Sequence, residues 1–236
     1  MFWVGTAPAS AQPSWPEVKN ETKAGSRWWW HGSAVDEANL KWNIEQYAQA
    51  GIGTLEITPI YGVKGNASRN IAFLSEQWLN MLKFAKEQGQ QNGLDIDMTT
   101  GTGWPFGGPM VKQAESASKL ATEDTKLTGD GTSEKTISLS GSGTLQRVLA
   151  YPQKDNAGAF TDLTSMVDGK KVKWTAPAGD WRIIAVYCQT GAMQVKRPSP
   201  GSEGLVLDHF DAEAVKNYLD WFDKRYEAGG KVFPRS

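Results

Sequence analysis

The chain of 236 residues has one cysteine, two histidines and a formal net charge of -1, and each scarcity removes a class of function. A single Cys188 in an apolar run can form neither a disulfide framework nor a cysteine metal site, and it reads as a buried, inert thiol. His31 and His209 are too few for a histidine-rich zinc centre unless carboxylates complete it. Near-neutrality leaves no electrostatic footprint for nucleic acid, and no run is long and apolar enough to span a membrane. With 39% of residues hydrophobic and 22% charged, the chain can bury a sizeable core, so disorder is excluded as well.

What it has in excess is tryptophan, 11 residues against 6 tyrosines and 8 phenylalanines. An indole stacks on the apolar face of a sugar ring, although a large core uses tryptophan almost as readily. The stretch of greatest interest is LDIDMTTGTGWPFGGP, Leu94 to Pro109. Leu94, Ile96 and Met98 alternate with Asp95, Asp97 and Thr99, the period of a strand. Gly101, Gly103, Gly107, Gly108, Pro105 and Pro109 then predict an irregular loop that presents Trp104 and Phe106. The glycines are spaced G-x-G-x-x-x-G, one residue longer than the dinucleotide fingerprint, and Pro105 stands where the phosphate-binding helix would begin. A sugar-binding loop and a core-plugging loop both remain open at this point.

In chain order, Ala9-Ser10-Ala11 matches a signal-peptidase site behind a short apolar remnant, or is an accidental Ala-x-Ala in a polar terminus. Arg27 to Gly32, RWWWHG, reads as the first strand, with Ser33 available to cap a helix carrying Leu40, Ile44, Tyr47 and Ala48. Gly53 to Ile60 reads as a second strand, and a second helix follows with Trp78, Leu82 and Ala85 on one face until Gly93 closes it. This strand and helix alternation is the grammar of parallel β/α folds, open sheet or barrel, which gather ligands at the strands' C-terminal ends.

Lys112 to Leu120 resembles the start of a third helix, and Asp124 to Ser133 a surface loop without EF-hand spacing. Thr136 to Leu139, Leu145 to Tyr151, Lys171 to Trp174 and Trp181 to Tyr187 read as strands of a small antiparallel sandwich. Gly201 to Phe210 returns to the first pattern, followed by a helix with Val215, Tyr218, Leu219, Phe222 and Tyr226 on one face, Asp211 as cap and Gly229-Gly230 at its end. Val232-Phe233 begins another strand.

WWWHGS (Trp28 to Ser33), AGIGTLEI (Ala50 to Ile57), TGTGWPFGGP (Thr100 to Pro109) and GLVLDHFDAEAV (Gly204 to Val215) together resemble the N-terminal catalytic region of glycoside hydrolase family 106, the α-L-rhamnosidases. The resemblance implies a partial (β/α)8 barrel, first strands only, interrupted by an inserted antiparallel β-sandwich-like domain. Residues 1–11 are then a signal-peptide remnant, 12–120 the first part of the barrel, 121–200 the insertion and 201–236 the truncated continuation. It further implies an exported protein, periplasmic or at the cell surface, an oligo- or polysaccharide substrate, calcium in some members, and inverting hydrolysis by an acid and base carried beyond Ser236 on the remainder of the parent polypeptide. A fragment of that kind is expected to be inactive alone.

Position at or after strand ends nominates Glu56, Asp208 and His209 as polar groups of the catalytic centre, each with a scaffold reading beside it: a salt-bridged acid, a helix-capping aspartate, a structural histidine. Trp30, His31, Tyr61, Asp97, Thr100 and Trp104 are nominated as substrate contacts. A different class of function, a carbohydrate-binding or assembly module without chemistry, requires Trp174 and Trp181 of the β-rich part to face solvent.

Overall fold

A computed structural model of the chain describes residues 15–154 and 158–231. The Ala9-Ser10-Ala11 site and the Val232-Phe233 strand lie outside the described residues.

β1 (Gly25–His31), α1 (Glu37–Gln49), β2 (Thr54–Ile60), α2 (Glu76–Gln91) and β3 (Asp95–Met98) alternate as expected. The strands form a parallel sheet in the order β1-β2-β3. Period-two alternation decides its faces. Trp28, Trp30, Leu55, Ile57, Ile96 and Met98 share one core with Leu40 and Ile44 of α1 and Trp78, Leu82 and Ala85 of α2, so both helices cover the same face. The other face carries Arg27, Trp29, Glu56, Thr58 and Asp97, with Arg27 beside Glu56, Trp29 beside Thr58 and Glu56 beside Asp97 in the register.

The first helix is capped by Asp36, whose side chain accepts from Asn39 N, and not by Ser33. Ser33 is fully buried at φ 49°, and its hydroxyl receives the indole N–H of Trp78 at 2.9 Å. The partner that decides this lies 45 residues further on.

After β4 (Gly107–Gly108) the expected third helix shrinks to one helical turn at Gln113–Glu115, and β5 (Lys119–Gly129) runs through most of the segment read as a loop. A local helical period is overridden there, because Glu115 and Ala117 bond the backbone of Asp208 and Val206, and β5, from Lys119 on, pairs along all 11 of its residues with β11 (Gly179–Gln189). β6 (Glu134–Ser138), β7 (Thr144–Pro152), β8 (Thr161–Asp162), β9 (Val167–Asp168) and β10 (Lys171–Thr175) complete two antiparallel sheets, β5-β11-β7-β8 and β6-β10-β9. They enclose a second core of Ile137, Val148, Ala150, Val172, Trp174, Ile183, Ala185 and Tyr187. Cys188, read as buried, is half-buried on β11.

β12 (Leu205–Val206) pairs with β4, and α3 (Ala212–Ala228), capped by Asp211, returns Ala214, Tyr218, Phe222 and Tyr226 to the first core. Leu219 lies off that stripe and is 45% exposed. The chain is therefore mixed α/β: one parallel sheet with helices on one face, and a larger number of antiparallel strands.

Candidate functional site

The uncovered face of the parallel sheet is where chemistry-bearing side chains gather. Arg27 Nε donates to Glu56 Oε2 at 2.6 Å, and its guanidinium lies 5.6 Å from the Trp29 ring centroid. Trp29 meets Trp104 at 6.0 Å between ring centroids, and the two indoles are 40% and 46% exposed. At the C-terminal ends of β1 and β2, His31 meets Tyr61 edge-on at 5.9 Å, and the Arg197 guanidinium sits 5.6 Å from the Tyr61 ring. The result is an aromatic band flanked by two guanidiniums, with apolar ring faces and fork-shaped donors side by side, a combination that suits a polyhydroxylated ring.

This band depends on the loop Thr100 to Pro109. Trp104 exchanges two backbone hydrogen bonds with Lys196, N to O at 2.9 Å and O from N at 2.7 Å, which brings Arg197 alongside. The approach is possible because residue 103 is glycine: φ is +65°, and a Cβ would stand 2.2 Å from Lys196 O. Beneath the loop, Thr102, Ser199 and Ser202 are buried together. Thr102 Oγ1 accepts from Ser199 N at 3.0 Å and shares a hydrogen with Ser202 Oγ, while Ser199 Oγ lies 3.3 Å from Ser33 Oγ. A chain of buried hydroxyls thus joins Trp78, the end of β1, the segment 199–202 and the aromatic loop. Tyr218 adds a hydrogen bond to Thr100 O at 2.7 Å, and burial raises its hydroxyl above the usual tyrosine range, keeping it a neutral donor.

Of the residues nominated from sequence, His31, Tyr61, Glu56, Asp97 and Trp104 fall on or beside this band. Glu56 and Asp97 are within their strands, third in β2 and third in β3, not at the strand ends. Asp97 Oδ1 accepts from Met98 N at 2.8 Å. Trp30 is 1% exposed and packed against Trp28 and Trp78 in the helix-side core, so it does not wall this face. Thr100 is exposed at the start of the loop. Asp208 and His209 stand apart: Asp208 Oδ1 accepts from Phe210 N at 3.0 Å in the lead-in to α3, and His209 lies 6.2 Å from the Phe106 ring. Beside them Glu115 accepts from Lys112 N and Asn217, bonds that hold its carboxyl below the usual range despite partial burial.

Sequence reasoning missed Trp29, Arg27, Arg197 and the buried hydroxyls. Alternation within Trp28-Trp29-Trp30 carried the signal for Trp29, because two of three consecutive strand residues must share the core face. Trp174 and Trp181, required to face solvent by a binding module, instead meet edge-on at 5.0 Å in the second core. Among the described residues no three His, Cys, Asp or Glu side chains come together to hold a metal ion. Among them also, no helix is long and apolar enough to cross a membrane.

A family model described as alpha-L-rhamnosidase, Glyco_hydro_106, matches residues 17–159. A curated protein of Formosa agariphila described as "Putative beta-glucuronidase" is 21% identical over 244 aligned positions, covering 85% of this chain. The solved structure of a rhamnosidase from Novosphingobium sp. PP1Y superposes with a TM-score of 0.58 at 13% identity, covering 89% of this chain. The chain spans 21% of the length of the first and 37% of the second.

Proposed function

Because this chain belongs to glycoside hydrolase family 106, the alpha-L-rhamnosidase family, we propose that it forms the first part of the catalytic region of an exported enzyme, periplasmic or at the cell surface. That enzyme removes terminal α-L-rhamnosyl groups from plant or bacterial polysaccharide. In this reading β1, β2 and β3 are the first strands of a (β/α)8 barrel, the segment 121–200 is an insertion, and the uncovered face of the parallel sheet looks into the barrel. The observation that carries it is the band of Trp29, Trp104, Tyr61 and Arg197 on that face, next to the strand ends where barrel enzymes bind ligand.

The 6-deoxy sugar offers an apolar face with a methyl group to the indoles, and its hydroxyls are within the chemistry of guanidinium donors. Inversion requires an acid and a base roughly 6.5 to 9.5 Å apart on opposite sides of the scissile bond, and the proposal assigns that pair to parts of the parent polypeptide outside these residues. This chain then binds and orients the sugar and excludes water behind it. The test is a polypeptide extended through a full barrel, assayed on a panel of chromogenic glycosides with NMR detection of the released anomer. Hydrolysis of the α-L-rhamnoside with inversion is expected. Activity confined to a β-glucuronide would overturn the substrate, and retention would overturn the mechanism.

A further inference from the structure

The β-rich part has an outer face that neither core uses. In the sheet β5-β11-β7-β8, Ile183, Ala185, Val148 and Ala150 point into the second core, so their neighbours point outward. Register places Asp124, Ile184 and Leu149 in one row across three strands, and Lys126, Arg182 and Tyr151 in the next. An outward row of this kind is ordinarily polar. Here Leu149, Tyr151 and Ile184 are only half-covered, and Phe160, 54% exposed, stands 5.8 Å from the Tyr151 ring at an interplanar angle of 42°. Tyr151, Pro152, Gln153, Arg182 and Ile184 line a groove of about 410 Å³.

We propose that this groove is a second saccharide-binding site, for a neutral pyranose unit of a glycan, separate from the uncovered face of the parallel sheet. Charge decides the class of ligand. Arg182 is committed to Asp124, with Nε and a terminal nitrogen each 2.5 Å from the same carboxylate oxygen, and Arg147 is held 4.0 Å from Asp162. Guanidiniums already neutralised by carboxylates make a poor anion site, yet the pair still offers free N–H groups and a second carboxylate oxygen to hydroxyls. The tilted rings of Tyr151 and Phe160 beside Ile184 supply the apolar surface on which a sugar ring stacks. The volume lies in the range of small-ligand sites. The inference goes beyond the rhamnosidase reading and does not require it.

The experiment is an NMR titration of the whole chain with methyl α-L-rhamnopyranoside and methyl β-D-galactopyranoside, with methyl β-D-glucuronide and inorganic phosphate as anionic probes. Saturable millimolar binding of a neutral glycoside is expected, with shifts at Tyr151, Phe160 and Ile184. Tyr151→Ala and Arg182→Gln should each weaken it roughly tenfold, the size of a lost stacking or charge-assisted contact, while Tyr151→Phe leaves it unchanged. Should Tyr151→Ala not fold, Arg182→Gln and the mapped shifts decide alone. Absence of saturable binding, tighter binding of phosphate or glucuronide, or loss with Trp104→Ala but not with the groove variants would each overturn the proposal. The last outcome would leave the rhamnosidase reading standing.

Discussion

Thr102→Val tests whether the buried hydroxyls hold the aromatic loop in place. The substitution keeps the shape of a side chain that is 2% exposed but removes the oxygen that accepts from Ser199 N at 3.0 Å. Ser202 Oγ keeps its own bond to Ser199 O at 2.8 Å, so one backbone donor is orphaned and a hydroxyl loses one partner. An orphaned buried donor costs about 1 to 3 kcal/mol. For a chain of 236 residues, about 2 kcal/mol lowers Tm by roughly 4 to 8 °C. Thr102→Ser is the control: it keeps the oxygen and loses one methyl, at a cost of about 0.8 kcal/mol. Calorimetry with near-ultraviolet circular dichroism reads both quantities, since loosening of the loop also frees Trp104 from Trp29. Melting of Thr102→Val within about one degree of the parent, or equal losses for valine and serine, would show that packing and not hydrogen bonding holds the loop.

The secondary structure was legible wherever a local rule had no distant competitor. The helix stripes of Leu40 with Ile44 and of Trp78, Leu82 and Ala85, the Asp211 cap, and the four strands read in the β-rich part all follow from spacing and capping chemistry. Failures came where a remote partner outbid the local signal. Ser33 and Asp36 are both competent caps, and only the Trp78 indole, drawing Ser33 inward, settles the choice. Lys112 to Leu120 has a helical period, but Val206 to Asp208, about ninety residues on, bond the backbone of Glu115 and Ala117, and β11, about seventy residues on, pairs with Lys119 and Leu120.

The candidate site was legible by half. His31, Tyr61 and Trp104 follow strand ends, a position the sequence pattern marks. Arg197 comes from a Pro-flanked segment more than a hundred residues from Tyr61, at φ 56°, and no local pattern announces it. Thr102, Ser199 and Ser202 are the commonest kind of loop residue, and only burial gives them a role. The assignment of Trp30 to a pocket wall failed because a strand in a one-sided sheet must choose one parity for its core, and Trp28 and Trp30 outweigh Trp29 in that choice.

Glu123 ties β5 to the segment between β6 and β7 and to β11: burial opposes its charge, but hydrogen bonds from Ser140, Tyr187 and Gly141 outweigh it and hold the carboxyl below the usual 4.5. Its contribution is therefore complete above pH about 4.5 and lost as pH falls through the lowered folded value, so urea midpoints should fall there for the parent and less steeply for Glu123→Gln; parallel curves would deny the linkage. Gly103→Ala forces a Cβ against Lys196 O at a positive φ, and should cost more than the roughly 1 kcal/mol of conformational strain alone, with hydrogen exchange rising at Trp104 N; protection equal to the parent's would mean the loop does not need this approach. Trp29→Ala and Trp30→Ala separate the two faces of the first strand. Trp30 fills the core between Trp28 and Trp78, so its truncation should cost about 3 to 5 kcal/mol. Truncating Trp29, 40% exposed, removes its ring contacts with Arg27 and Trp104, about 0.5 to 1.5 kcal/mol for each aromatic or cation–π contact. In an extended, active enzyme Trp29→Ala should raise KM with kcat nearly kept, because a stacking surface serves ground state and transition state alike. The reverse pattern, a stable Trp30→Ala and an unfolded Trp29→Ala, would mean that the sheet presents its other face to the sugar.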